Sequence, residues 1–297
     1  MNELPVVPNE PFNKERSADV VAASFANSPN PRLRQVLEAL VRHLHGFAKE
    51  VDLLQPELDF AIEFLTRTGQ TCDDVRQEFV LLADVLGISM LVDTITNTAA
   101  EGATMSTVLG PFHLVASPRR EPGESIALAP GGNPAVVTGQ VLSAGGLPLP
   151  GALVDVWQAD ADGFYDVQIP EAVPQGNLRG LFTSDDNGRF DFRTVMPAPY
   201  AIPVDGPVGE LLSITGRHPW RPAHIHFIAT AEGHLPITTH IFVAGSPYLD
   251  ADAVFAVKDS LVAHFEEDDD PDLASRYGLT APFNHAHVEL RLRENPT

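Results

Sequence analysis

The spacing of apolar positions changes once along this chain, near Thr104. Before that point it is helical. In NPRLRQVLEALVRHLHGFAKEV, Leu33, Val36, Leu37, Leu40, Val41 and Leu44 recur every three or four residues, the period of a helix with one apolar face. LLQPELDFAIEFLTRTG repeats the pattern and stops at Gly69, a residue suited to a helix end. A third helix is predicted in TCDDVRQEFVLLADVLGISMLVDTI, with Thr71 as its cap, Asp74 beside the positive helix end, and Val75, Phe79, Leu82 and Leu86 as its stripe.

After Thr104 the apolar runs become short and are separated by proline, glycine and tight-turn chemistry. AVVTGQVLSAGG, ALVDVWQAD, GRFDFRTV, AHIHFIAT and ITTHIFVAG each read as a strand, and SDDNGRF as a turn. One helix-like stretch, DADAVFAVKDSLVAHFEED, interrupts them late, and the acidic run EEDDDPD reads as a solvated loop. Helices first and strands afterwards predict an α+β chain: a helical N-terminal domain over 1–104 and an antiparallel β-sandwich over 105–297.

Composition narrows the function classes. The formal net charge is -21, a surface that repels phosphate backbones and anionic membranes, so nucleic acid is not an expected partner. The single cysteine, Cys72, rules out a disulfide within the chain and a cysteine-based zinc site. The N-terminus has no signal-peptide pattern, and the longest apolar stretch, FVLLADVLGISMLV, is too short for a bilayer and contains Asp84. A cytoplasmic protein without membrane insertion is expected.

The candidate chemistry starts at RPAHIHF. On a strand His224 and His226 face the same way, and Ile225 and Phe227 the other. A second pair, His285 and His287 in HAHVELRLR, serves as a control. It alternates with Ala286, Val288, Leu290 and Leu292 and shares its face with Glu289 and Arg291, the pattern of an ordinary half-exposed strand. Around His224 and His226 no charge alternates, so both faces read as buried, and buried imidazoles need partners. Spacing alone leaves open whether those partners are backbone carbonyls or a metal. The sequence holds four tyrosines, of which Tyr165 follows a strand in DADGFYDVQ and Tyr200 ends RTVMPAPY. Two phenolates with two imidazoles would suit a hard trivalent cation, because ionising a phenol at neutral pH costs about 4 kcal/mol unless a metal supplies it.

RPAHIHF, FYD, VMPAPY and STVLGPFH together resemble the intradiol ring-cleavage dioxygenases, non-haem Fe(III) enzymes that open catechols between their two hydroxyls. Within that family, RTVMPAPYAIPVDGPVG followed by GRHPWRPAHIHF is most similar to the branch that opens 1,2,4-trihydroxybenzene (hydroxyquinol). The resemblance implies a non-haem Fe(III) cofactor held by Tyr165, Tyr200, His224 and His226. It implies a substrate that displaces Tyr200, and Arg221 beside it to steady charge on the ring. It implies a substrate pocket of Leu81, Asp84, Val108, Leu109, Gly110, Pro111, Phe112, Ile202, Pro203, Arg221 and Val254, in which Asp84 accepts a hydrogen bond from the third hydroxyl. His240 stands where catechol-cleaving relatives commonly carry Gln and is placed near the oxygen site. The product expected is 3-hydroxy-cis,cis-muconate, which tautomerises to maleylacetate. A homodimer built through the N-terminal helices, with a phospholipid in a tunnel at its axis, is also implied.

Two other readings stay open at the level of sequence. One is cleavage of catechol or chlorocatechol by the same chemistry. The other is a transthyretin-like binding module, resembled by VTGQVLSAGGLPLPGALVDVWQADADG, which would need neither Tyr200 nor the histidine pair.

Overall fold

The computed structural model describes residues 11–73, 76–97, 101–114 and 117–295. The chain divides into two compact units at Arg67. The first carries α1 (Ser17–Ala23), α2 (Pro31–Glu50) and most of α3 (Gln55–Gln70). Asn30 caps α2 by accepting the Leu33 N–H, and Pro31 occupies the first helical position, where no N–H is needed. Helix α2 buries none of its residues. Leu33, Val36, Leu40, Leu44 and Phe47 stay exposed along it.

The second unit begins at Thr68, so the segment expected as a third helix belongs with the sandwich. That segment is two helices, α4 (Glu78–Val85) and α5 (Ile88–Thr96), set at 79°. The chain breaks at Gly87, whose φ of +71° is accessible without strain to glycine. Asp74 and Val75 of the expected cap and stripe lie outside the described residues. Phe79 and Leu86 are exposed, and α4 instead buries Leu81, Leu82, Asp84 and Val85. The predicted stripe assumed one straight helix; the break turns a different face inward.

The strands are β1 (Pro134–Ser143), β2 (Leu153–Gln158), β3 (Arg179–Thr183), β4 (Arg189–Val195), β5 (Tyr200–Ala201), β6 (Trp220–Arg221), β7 (His224–Thr230), β8 (Ile237–Val243), β9 (Val262–Ala263), β10 (Glu266–Asp268) and β11 (Phe283–Leu292). Two short helices lie among them, α6 (Pro207–Ile214) and α7 (Pro271–Arg276). One sheet has the order β10-β11-β1-β4 and the other β3-β2-β7-β8-β9, while β5 and β6 form a separate ribbon. The sandwich is mixed rather than purely antiparallel, because β1 pairs with β11 and β8 with β9 in parallel. Parallel neighbours need a long crossover, and the chain between β1 and β11 supplies one. Between the sheets pack Val137, Val141, Val154, Val156, Phe190, Phe192, Ile225, Phe227 and Leu290.

The stretch expected as a late helix forms a 3-10 turn at Asp259–Leu261, followed by β9 and β10. Its Asp252 carboxylate accepts the backbone N–H groups of Val254 and Ala256 and turns the chain away from a helical path. The acidic run is likewise ordered: Glu266–Asp268 makes the edge strand β10, and Asp270 caps α7.

Candidate metal centre and substrate recess

In β7 the predicted alternation holds. Ile225 and Phe227 enter the core, while His224 and His226 share the opposite face, 2% and 1% exposed. In register with His226 stand Trp157 on β2 and His240 on β8. The indole of Trp157 stacks on the His226 ring at 4.5 Å and 15°. On the other side, His240 Nε2 lies 2.8 Å from His226 Nδ1. His224 Nδ1 lies 2.7 Å from the Pro222 carbonyl. A carbonyl only accepts, so His224 carries its hydrogen on Nδ1 and presents a lone pair at Nε2. That Nε2 is 3.2 Å from Nε2 of His226.

Both tyrosines reach this point. Tyr165 sits on a loop after β2, where Asp160 accepts the N–H groups of Asp162 and Phe164. The next residue, Asp166, is clamped by Arg179 at 2.6 Å in a pair that is almost fully buried. The Tyr165 hydroxyl lies 2.9 Å from His226 Nε2. Tyr200 opens β5 and pairs directly with Arg221 of β6. Its hydroxyl lies 3.3 Å from Arg221 Nη1, and its ring centroid 5.4 Å from that of Tyr165.

Burial sets the electrostatics. It pushes the His224 imidazole down to about 3, with Arg221 adding to the effect. Burial, then neighbouring imidazoles, holds His226 and His240 well below the usual histidine range. Burial, then Tyr200, raises the Tyr165 phenol well above its usual value. Tyr165, His224 and His226 are therefore neutral as they stand. The donor set fits a cation that would ionise the phenols: donors bound at about 2.0–2.1 Å to one small ion lie about 3 Å apart, which is the spacing of His226 Nε2 from Tyr165 Oη and from His224 Nε2.

Arg221 is fully buried, and burial opposes its charge. Asp252 more than offsets this by pairing with the guanidinium. Asp252 is in turn held below the usual carboxylate range, since Arg221 outweighs its own burial.

Beside Tyr200 and Arg221 lies a narrow recess. Helix α4 contributes Leu81 and Asp84, and the 108–112 loop contributes Val108, Gly110, Pro111 and Phe112. Ile202 and Pro203 follow β5, and Val254 comes from the turn that Asp252 organises. Gly110, at φ +77°, brings the loop so close that a Cβ would stand 3.0 Å from His226 Cε1. The recess shares Leu81, Asp84, Pro111, Phe112 and Pro203 with an apolar outer cavity of about 500 Å³. Leu109 is the exception among the expected pocket residues. It is 44% exposed and lines a different depression, beside Asp93 and Ser106. A groove of about 770 Å³ elsewhere runs past His264, His285 and His287 but holds none of the four donors. The control pair is engaged there, with His285 against Asp268 and both rings against Thr138.

The structure also brings in residues that the sequence reading did not single out: Trp157, Asp166, Arg179 and Asp252. Only Asp252 left a trace, as a carboxylate inside an apolar stretch. His224, His226 and His240 form a cluster of potential ligand atoms within 4.8 Å. However, His240 faces the outer nitrogen of His226 rather than the point where the Nε2 atoms and the phenols meet.

Known proteins resemble this chain over most of its length. A family profile described as Dioxygenase matches residues 116–284, and one described as Catechol dioxygenase N terminus matches residues 30–104. Hydroxyquinol 1,2-dioxygenase of Rhizobium sp. is 46% identical over 268 residues, 90% of this chain and 91% of that protein. 6-chlorohydroxyquinol 1,2-dioxygenase of Cupriavidus pinatubonensis is 49% identical over 251 residues, 84% of this chain and 91% of that protein. The crystal structure of hydroxyquinol 1,2-dioxygenase from Pseudomonas putida superimposes with a TM-score of 0.89 at 46% identity, covering 95% of this chain and 99% of that one. The chain belongs to the intradiol ring-cleavage dioxygenase family.

Proposed function

We propose that this protein cleaves hydroxyquinol with O2 between two adjacent hydroxylated carbons, as a hydroxyquinol 1,2-dioxygenase. Both oxygen atoms enter the product, 3-hydroxy-cis,cis-muconate, which tautomerises to maleylacetate. The observation that carries the reading is the convergence of Tyr165, His224 and His226, with Tyr200 and Arg221 alongside, at a recess that also contains Asp84.

In this reading Tyr165, Tyr200, His224 and His226 hold a non-haem ferric ion. When bound, such an ion would supply Lewis acidity that makes a ring diol reactive toward O2. Tyr200 Oη is the atom that accepts a substrate proton, since Arg221 stands ready to steady it at 3.3 Å. Arg221 then offers a fixed charge to the ring, with Asp252 preventing it from swinging away. Leu81, Pro111, Phe112, Ile202 and Val254 exclude water and sandwich the ring. Asp84 accepts a hydrogen bond from the third hydroxyl. Leu109 has no part in this scheme.

The exposed apolar face of α2 supports a homodimer through the N-terminal helices, which sedimentation tests. A phospholipid in that interface rests on the family resemblance, and mass spectrometry of an organic extract tests it. Residue 104 is the proposed junction between the two sequence-family parts, supported by profiles that end at 104 and begin at 116. The compact units divide earlier, at Arg67, so that α4 belongs with the catalytic part. Among the described residues, no single helix is long and apolar enough to cross a membrane.

Oxygen uptake with hydroxyquinol, 6-chlorohydroxyquinol, catechol and a chlorocatechol tests the activity. The triols are expected to be consumed fastest, with one O2 per ring and maleylacetate as product. Uptake with catechol alone would assign the chain to the catechol branch, and no uptake with any diol would reject the enzyme reading.

A further inference from the structure

We propose that His240 is a positioning residue that decides which nitrogen of His226 carries a hydrogen. The inference rests on the metal reading above. His240 Nε2 and His226 Nδ1 are 2.8 Å apart, so one hydrogen lies between them and only one of the two nitrogens owns it. If His226 owns it, its Nε2 is a free lone pair aimed at Tyr165 and His224. If His240 owns it, neutral His226 carries its own hydrogen on Nε2, and no cation can bind there. His224 has no such choice, because the Pro222 carbonyl can only accept.

His240 is completely buried, and its ring is packed between His224 and Phe242. Its Nδ1 has no hydrogen-bond partner among the described residues. The metal-ready arrangement places an N–H on that nitrogen, so the metal-free protein favours the opposite one. On the two imidazoles, loading a cation therefore moves hydrogens without changing their number. The Nε2–H of His226 leaves, the Nε2–H of His240 passes to His226 Nδ1, and one hydrogen reaches His240 Nδ1. By accepting from His226, His240 also makes that ligand a stronger donor. A Gln at this position would accept through its carbonyl and hold one arrangement permanently.

The test compares wild type with His240→Gln and His240→Leu. Ferric iron is loaded into each, the tyrosinate-to-iron absorption is recorded, and iron loss to a chelator is timed. Loss is expected within about threefold of wild type for H240Q and about 10–100-fold faster for H240L. In parallel, imidazole nitrogen shifts of His226 are read by NMR in wild type, metal-free and loaded with diamagnetic Ga(III). They are expected to report Nε2–H in the first state and Nδ1–H in the second. Equal iron retention in H240L and wild type, or equal losses in H240Q and H240L, overturns the proposal, as does an unprotonated His226 Nδ1 with Ga(III) bound. Should H240L fail to fold, H240Q and the NMR assignment still decide. A wild type that takes up neither ion overturns the metal reading itself, a different result from a wild type that loads normally beside an unaffected H240L.

Discussion

Arg221 and Asp252 form a two-point ion pair, Nε to Oδ1 at 3.0 Å and Nη2 to Oδ2 at 3.3 Å, with each side chain only 2% exposed. The pair leaves Nη1 free to face Tyr200. Removing one partner strands a buried charge, which typically costs about 3–5 kcal/mol. Asp252→Ala is therefore expected to lose stability on that scale in urea unfolding and to lose most of its turnover. The pH dependence follows from the sign of the shift. The folded Asp252 carboxyl sits below its unfolded value, so its contribution is present above the unfolded value and disappears as pH falls through the folded one. The variant should thus approach wild type only in acid, and a constant stability difference across that range would contradict the pairing.

The three buried imidazoles give the metal-free protein a second pH signature. His224 is pushed down to about 3 by burial and then Arg221, and His226 and His240 are pushed well below the usual range by burial first. Below about pH 6.5 the unfolded chain takes up protons that the folded one refuses. Stability should then fall as pH falls, by up to about 1.4 kcal/mol per pH unit for each imidazole. Urea midpoints of metal-free protein between about pH 7 and 5, where carboxylates contribute little, measure this. A flat profile would mean that the imidazoles protonate in place.

Gly110 is fitted to His226 twice over, by its φ of +77° and by the 3.0 Å approach that an added Cβ would make to the imidazole. Gly110→Ala should cost about 1–3 kcal/mol of stability from the backbone conformation. It should also speed iron loss by displacing the His226 ring. Iron loss unchanged beside a lowered stability would place the whole effect in the backbone.

Asp84 separates stability from specificity. Its carboxyl is raised by burial, with Ser89 and Arg221 offsetting part of the effect. A raised folded value means that its charge costs stability once pH exceeds the unfolded value. Asp84→Asn should therefore be more stable than wild type at neutral pH. Asp84→Ala should lose about tenfold or more in kcat/KM for hydroxyquinol, the scale of one charged hydrogen bond, and much less for catechol. Equal losses on the two substrates would remove Asp84 from recognition of the third hydroxyl.

The legible parts of the site were those with local signals. Alternation around His224 and His226 declared their shared face because β7 is buried on both sides. Tyr165 and Tyr200 stood out in loop contexts, and the α2 stripe gave its helix outright. What stayed hidden depends on partners distant in the chain. Asp252 meets Arg221 across a turn that sequence read as helix, and Trp157 meets His226 only through sheet register. The same blindness covers the parallel pairing of β1 with β11, which no short-range pattern encodes. Leu109 follows its neighbours in sequence but lines a different depression, and the left-handed Gly110 beside it marks a change of direction in the loop.

The most direct test is a ferric titration of metal-free protein followed by visible absorption, repeated on Tyr165→Phe and Tyr200→Phe. Two phenolates on one ion predict a red band that saturates at one iron per chain and is weakened in each variant. A protein that stays colourless, or a band indifferent to both substitutions, would contradict the account.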